Sequence, residues 1–190
     1  FPVKNSDVAF RPVYMVNAPD GTVLIADFYE RYIAHGQHYK SQIDPTSGRI
    51  YRLRARDKER NTATRLDKKT DDQLLQFLDH PNKWHRQNAV RLLGHCTVES
   101  IHEALRKKIK TEFGEASLHA LWALKQAGGF NADLAVDLLA HSNSDIRAWA
   151  VRLQGDRREF STVFFNEVRR LVRRESHPEV RSQIAATAFR

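Results

Sequence analysis

Histidine and arginine recur in this chain at fixed places. HPNKWHRQNAVRLLG (His80 to Gly94) and HSNSDIRAWAVRLQG (His141 to Gly155) align without a gap over 15 positions. Each opens on His, carries Arg seventh, continues Ala-Val-Arg-Leu, and closes on Gly. HPEVRSQIAATAF (His177 to Phe189) echoes them, two residues shorter between His and Arg. A guanidinium at one place in every copy can do either of two things. Arg86, Arg147 and Arg181, extended by Arg91 and Arg152, could form a basic ridge that binds an anionic partner. Alternatively, each could bond the carboxylate or helix end of a neighbouring repeat, a structural ladder, which is the plainer expectation. His80, His141 and His177 recur at the same corner, and recurrence favours a structural corner over a ligand set.

Other reactive residue types lack the company that chemistry requires. His35 and His38 could be a metal pair on a loop, but no third ligand stands at a recognisable spacing. Cys96 is the sole cysteine, so no disulfide can form within the chain. With His95 it makes an isolated pair, and a nucleophile needs a positioned base. Trp84, Trp122 and Trp149 could stack bases beside the arginines. Trp122 and Trp149 fall within apolar stripes, however, so core packing is the simpler expectation. The cations of RIYRLRARDKER (Arg49 to Arg60) read as a solvated strand edge and linker rather than a nucleic-acid arm. No catalytic residue, metal ligand or cofactor-binding residue is expected in this piece.

Two kinds of element must position these groups. Residues 1–60 read as strand and turn, with runs at Val13 to Val16, Thr22 to Phe28 and Arg49 to Leu53. Pro19-Asp20-Gly21 is a turn by mechanism: Pro fixes φ, Asp caps its own backbone, and Gly accepts positive φ. The third run alternates charged and apolar residues, which predicts a half-exposed strand. The segment between the second and third runs, ERYIAHGQHYKSQI, is expected to be loop with a short helical piece. Residues 61–70 are polar, lack a period and read as a linker. Thr70 and Gln73 then match a capping box, which starts a helix.

Residues 71–190 are helical in period. Ile146, Trp149, Ala150 and Leu153 make one stripe, Leu134, Leu138 and Leu139 another. Phe164, Val168, Leu171 and Val172 repeat the device, as do Ile101, Ala104, Leu105 and Ile109. The pattern predicts helices over 71–79, 84–93, 99–111, 115–127, 132–140, 145–154, 160–175 and 178–189. Gly94, Gly128 and Gly155 are expected just past three second helices, where positive φ is wanted. No pair can bury its own stripe, so neighbours must stack as an α-solenoid of about four hairpins. The expected fold is therefore mainly α, preceded by a small three-stranded β segment.

Bulk properties bound the function. The chain has 190 residues and is 41% hydrophobic, ordinary for a folded globular chain. The net charge of +8 divides into +3 for residues 1–60 and +5 for the rest, so it is spread rather than gathered in one tail. That permits nucleic acid or anionic surfaces as partners but does not select them. No run reaches the ~18 apolar residues of a membrane helix. The opening FPVKNSDVAF lacks the apolar core of a signal peptide and has no initial Met, so a piece of a longer protein is expected.

Asn143-Ser-Asp145-Ile146-Arg147 with Ala150 and Leu153 resembles the second helix of a HEAT repeat, as does Pro178-Glu179-Val180-Arg181. SLHALWALKQAGG (Ser117 to Gly129) is similar to the same helix in bacterial HEAT arrays. Phe10 to Leu53 resembles the last blade of a six-bladed propeller of the glucose/sorbosone-dehydrogenase-like type. In one bacterial family, labelled membrane-bound dehydrogenase-like, such a propeller is followed by HEAT repeats and then a c-type haem domain. The resemblance implies an exported, periplasmic or cell-envelope parent. It implies that the propeller and haem domains are the partners of the array, and that any dehydrogenase activity belongs to the parent. The expected role is thus a non-catalytic interaction or spacer module, the alternative a basic HEAT module that binds nucleic acid.

Overall fold

A computed structural model describes residues 6–30, 46–57, 59, 65–158 and 160–189. They fall into two compact units: residues 1–65 with Asn82–Trp84, and residues 66–81 with 85–190. His35 and His38, most of the segment after the second strand, and residues 61–64 lie outside the described residues.

The first unit holds a three-stranded antiparallel sheet in the order β1 (Pro12–Asn17), β2 (Val23–Asp27), β3 (Arg49–Leu53). The β1–β2 hairpin turns at the Pro-Asp-Gly signal. Gly21 has φ +81°, and the Thr22 amide and hydroxyl both donate to Asp20 Oδ1, at 3.2 and 2.6 Å. Arg52 on β3 reaches across β2 to Asp20 Oδ2 and Thr22 Oγ1, each at 2.8 Å, so the turn is fastened to the far strand. Asp27 Oδ1 accepts from the amides of Arg11 and Tyr29, at 2.8 and 3.0 Å, which closes the other end. The expected half-exposure of β3 gives way to exposure on both faces. Ile50 is 75% exposed and Leu53 41%, because β3 forms one edge of a thin sheet.

The second unit begins with a 3₁₀ turn at Leu66–Lys68 and continues as eight α-helices. They are α1 (Asp71–Phe77), α2 (Lys83–Leu93), α3 (Glu99–Thr111), α4 (Glu115–Gln126), α5 (Ala132–Leu138), α6 (Ser144–Asp156), α7 (Thr162–Arg174) and α8 (Pro178–Ala188). Side chains start several of them. Thr70 and Gln73 close a reciprocal capping box on α1, at 3.2 and 3.3 Å. Asn131 accepts from the Leu134 amide at 2.9 Å, Asn143 from Asp145 at 2.8 Å, and Ser161 from Phe164 at 3.1 Å. Each such cap holds an otherwise unpaired first-turn donor, worth about 1 kcal/mol.

First helices pack on first helices (α1 on α3, α5 on α7) and second helices on second helices (α4 on α6, α6 on α8). This stacking buries Leu105, Ile109, Leu121, Leu124, Leu138, Ile146 and Val180 almost completely. The unit is an α-solenoid of stacked helical pairs. Two of the three glycine expectations fail. Gly128 has φ +83° just past α4, but Gly94, which follows α2, does not take a positive φ and instead lies against Gln126, and Gly155 lies inside α6 and is buried. A β-carbon at Gly155 would run into the Thr187 side chain, so this glycine lets α8 approach α6 closely. The positive φ after α6 falls instead on Arg158, at +56°. Val172, expected in the core stripe of α7, is 46% exposed.

Candidate interaction surface

The recurring arginine occupies the fourth residue of α2, α6 and α8, and each copy makes the same first bond. Nη1 of Arg86 donates to the His80 carbonyl at 2.9 Å, Nη1 of Arg147 to His141 at 2.8 Å, and Nη1 of Arg181 to Glu175 at 3.2 Å. In every case the acceptor lies six residues back, where the preceding helix has just ended. Arg86 and Arg147 also donate to the next carbonyl, of Pro81 and Ser142, both at 2.9 Å. The guanidinium thereby ties the corner of each hairpin to the second helix.

The outer edge of the same guanidinium reaches the following pair. Arg86 Nη2 lies 2.7 Å from Glu115 Oε2 at the start of α4. Arg147 grips Glu175 with Nε and Nη2, at 2.7 and 2.9 Å. These two latches differ in strength. Glu115 is a mostly exposed carboxylate, whereas the Glu175 side chain is only 4% exposed and also accepts from the His177 amide at 2.9 Å. The Arg147 hydrogen bonds hold the Glu175 carboxyl down at about 2, against the opposing effect of burial. α4 has no arginine at this place; its fourth residue is Leu118, and Ser117 donates to the Gly114 carbonyl at 2.9 Å.

Two of the corner histidines stand in different surroundings. His141 Nε2 faces the Ile109 carbonyl of α3 at 2.9 Å, and Nδ1 accepts from the Asn143 amide at 3.1 Å. A carbonyl can only accept and an amide N–H can only donate, so this ring is the neutral Nε2–H tautomer. His80 stacks against Phe77 and meets His85 at a tilt of 49°, with ring centres 5.5 and 4.2 Å away. His177 is the residue before α8. His119 is a buried histidine held below its usual pKa by burial, with the Arg86 charge adding to the effect.

Trp122 and Trp149 are half-buried and meet edge to face, their rings 5.0 Å apart, across α4 and α6. His119 lies edge-on to Trp122 at 5.4 Å, and the Arg152 guanidinium sits 4.8 Å over Trp149. Arg152 and Arg91 are exposed on their helices. The structure therefore sorts the five candidate arginines: Arg86 and Arg147 are held on several sides, Arg181 on one, and Arg91 and Arg152 face solvent.

Glu115 and Glu175 are the ion-pair partners that reading from residue types missed. A signal for them exists: they follow Arg86 and Arg147 by 29 and 28 residues, about one repeat. Cys96 donates to Asp71 Oδ2 at 3.2 Å, and burial raises its pKa, so the thiol is kept protonated rather than activated. Among the described residues, no cluster of three or more His, Cys, Asp or Glu could hold a metal.

With this geometry in view, comparison with known families gives two matches. Residues 72–153 match the model for HEAT repeats, and residues 3–57 match a domain of unknown function (DUF7133). The chain matches no curated protein and no solved structure. The match to HEAT repeats suggests an interaction or scaffold module for the helical unit. Among the described residues, no helix is long and apolar enough to cross a membrane.

Proposed function

We propose that the chain is a non-catalytic spacer and docking module, without a cofactor of its own, from an exported dehydrogenase-like multidomain protein. In this reading the solenoid holds a propeller and an electron-accepting haem domain at a fixed separation in the periplasm or cell envelope. The observation that supports it most is the paired latch, Arg86 to Glu115 and Arg147 to Glu175. Guanidinium groups that bond two carbonyls and a carboxylate stiffen the array and leave little of themselves for a ligand. Of the five candidate arginines, Arg91, Arg152 and the outer edge of Arg181 are left to face a partner.

Stiffness is measurable. Spin labels at the exposed positions Gln87 and Ser182, in a Cys96→Ser background, should give one narrow distance distribution by double electron–electron resonance. A broad distribution would overturn the spacer reading. The exposed Arg91 and Arg152 keep a second reading in view, a nucleic-acid-binding module. Duplex DNA titrated at low salt decides it. Binding that weakens steeply with salt supports that module, since each phosphate contact releases counterions. No binding at low salt removes it.

A further inference from the structure

The last helical pair leaves an apolar groove. Val151 of α6, Phe160, Phe164, Phe165 and Val168 on one side, and Ile184 of α8 on the other, enclose about 310 Å³. Its wall α7 is unusual among the helices of this unit. It buries Phe164 and Leu171 but turns a second apolar stripe outward, with Phe165 55% exposed, Val172 46% and Val168 half-buried between them. These three residues stand at i, i+3 and i+7, the spacing by which one helix reads another.

The charges beside this stripe have one sign. Arg169, Arg170, Arg173 and Arg174 are exposed on α7, against a single carboxylate, Glu167, which already pairs with Arg170. Arg169 stands 5.9 Å over the Phe165 ring, at the rim of the groove. A second copy of this face would bring like charges together, which opposes self-association. An apolar stripe with an arginine border is complementary to an amphipathic helix whose apolar ridge is flanked by Asp or Glu.

We propose that the α7–α8 groove docks an acidic amphipathic helix of a partner protein or domain. The proposal rests on the docking-module reading and names the chemistry of one occupant. Phe165 and Val168 in the groove, continued along the outer face of α7 by Val172, supply the apolar contact, and Arg169 and Arg173 select for acidic flanks.

The test uses two labelled helical peptides of about 18 residues, long enough to cover a 13-residue helix. Both carry Leu at i, i+3, i+4 and i+7, one with Glu flanks and the other with Lys. Fluorescence anisotropy should show the Glu peptide binding at least about tenfold tighter. Phe165→Glu with Val172→Glu should weaken the Glu peptide by about tenfold or more, and Arg169→Glu with Arg173→Glu should reverse the preference. These positions are exposed, so circular dichroism should show an unchanged helix content in each variant. Equal binding of the two peptides, or binding untouched by the variants, would overturn the proposal. So would a dimer in sedimentation that Phe165→Glu dissolves, since the occupant would then be a second copy. A narrow spin-label distance combined with failed peptide binding defeats this inference alone; a broad distance defeats the spacer reading beneath it.

Discussion

Glu175 is the residue on which the last two pairs depend. It is nearly buried, accepts a two-point grip from Arg147, and accepts the His177 amide as well. Removing the carboxylate leaves the Arg147 charge partly buried without its partner, so Glu175→Ala should cost about 3 kcal/mol in denaturant unfolding. Exposed Arg91→Ala should cost under about 0.5 kcal/mol in the same assay. Acid tests the same group. Its folded pKa, about 2, lies below the ordinary carboxylate value of 4.5, so its contribution is fully present above pH 4.5. It is lost as pH falls from there through about 2. Thermal melts of the wild type and Glu175→Gln should therefore differ most above pH 4.5 and converge toward pH 2.

At the scale of elements, the helices were legible because a 3.6-residue apolar period and polar cap residues coincide in this sequence. Thr70, Asn131 and Asn143 each begin a helix within a residue of where the pattern places it. Reading failed where one residue type serves two purposes. A closing glycine looks the same whether it ends a helix or admits a neighbour, and only packing separates Gly128 from Gly155. Gly155→Ala should therefore destabilise by about 1–3 kcal/mol through overpacking against Thr187, read as a lower denaturation midpoint with an unchanged slope. The stripe of α7 was legible as apolar, but the sequence does not say which way Val172 points. The repeated arginine was legible as a ladder rung. Its partners were not named, because a carboxylate nearly thirty residues away is chosen by how successive pairs stack.

At the scale of the whole molecule, two compact units carry two different family likenesses, and the charge surplus is shared between them. The solenoid has no single core. Each pair is covered by the next, so damage at one boundary should stay local. Hydrogen exchange should show this for Glu175→Ala: faster exchange in α7 and α8, with α3 and α4 close to wild type.

The boundary between the second and third pairs is built differently from its neighbours. α4 carries Leu118 where α2 and α6 carry arginine, and the seam there is made by Trp122 against Trp149 and by the bond from His141 to Ile109. Under a pulling force, uncharged contacts of short reach yield within a small extension. The array should therefore part first at its middle, into two halves each fastened by its own charged clasp, and optical tweezers would record that opening as an early step indifferent to salt.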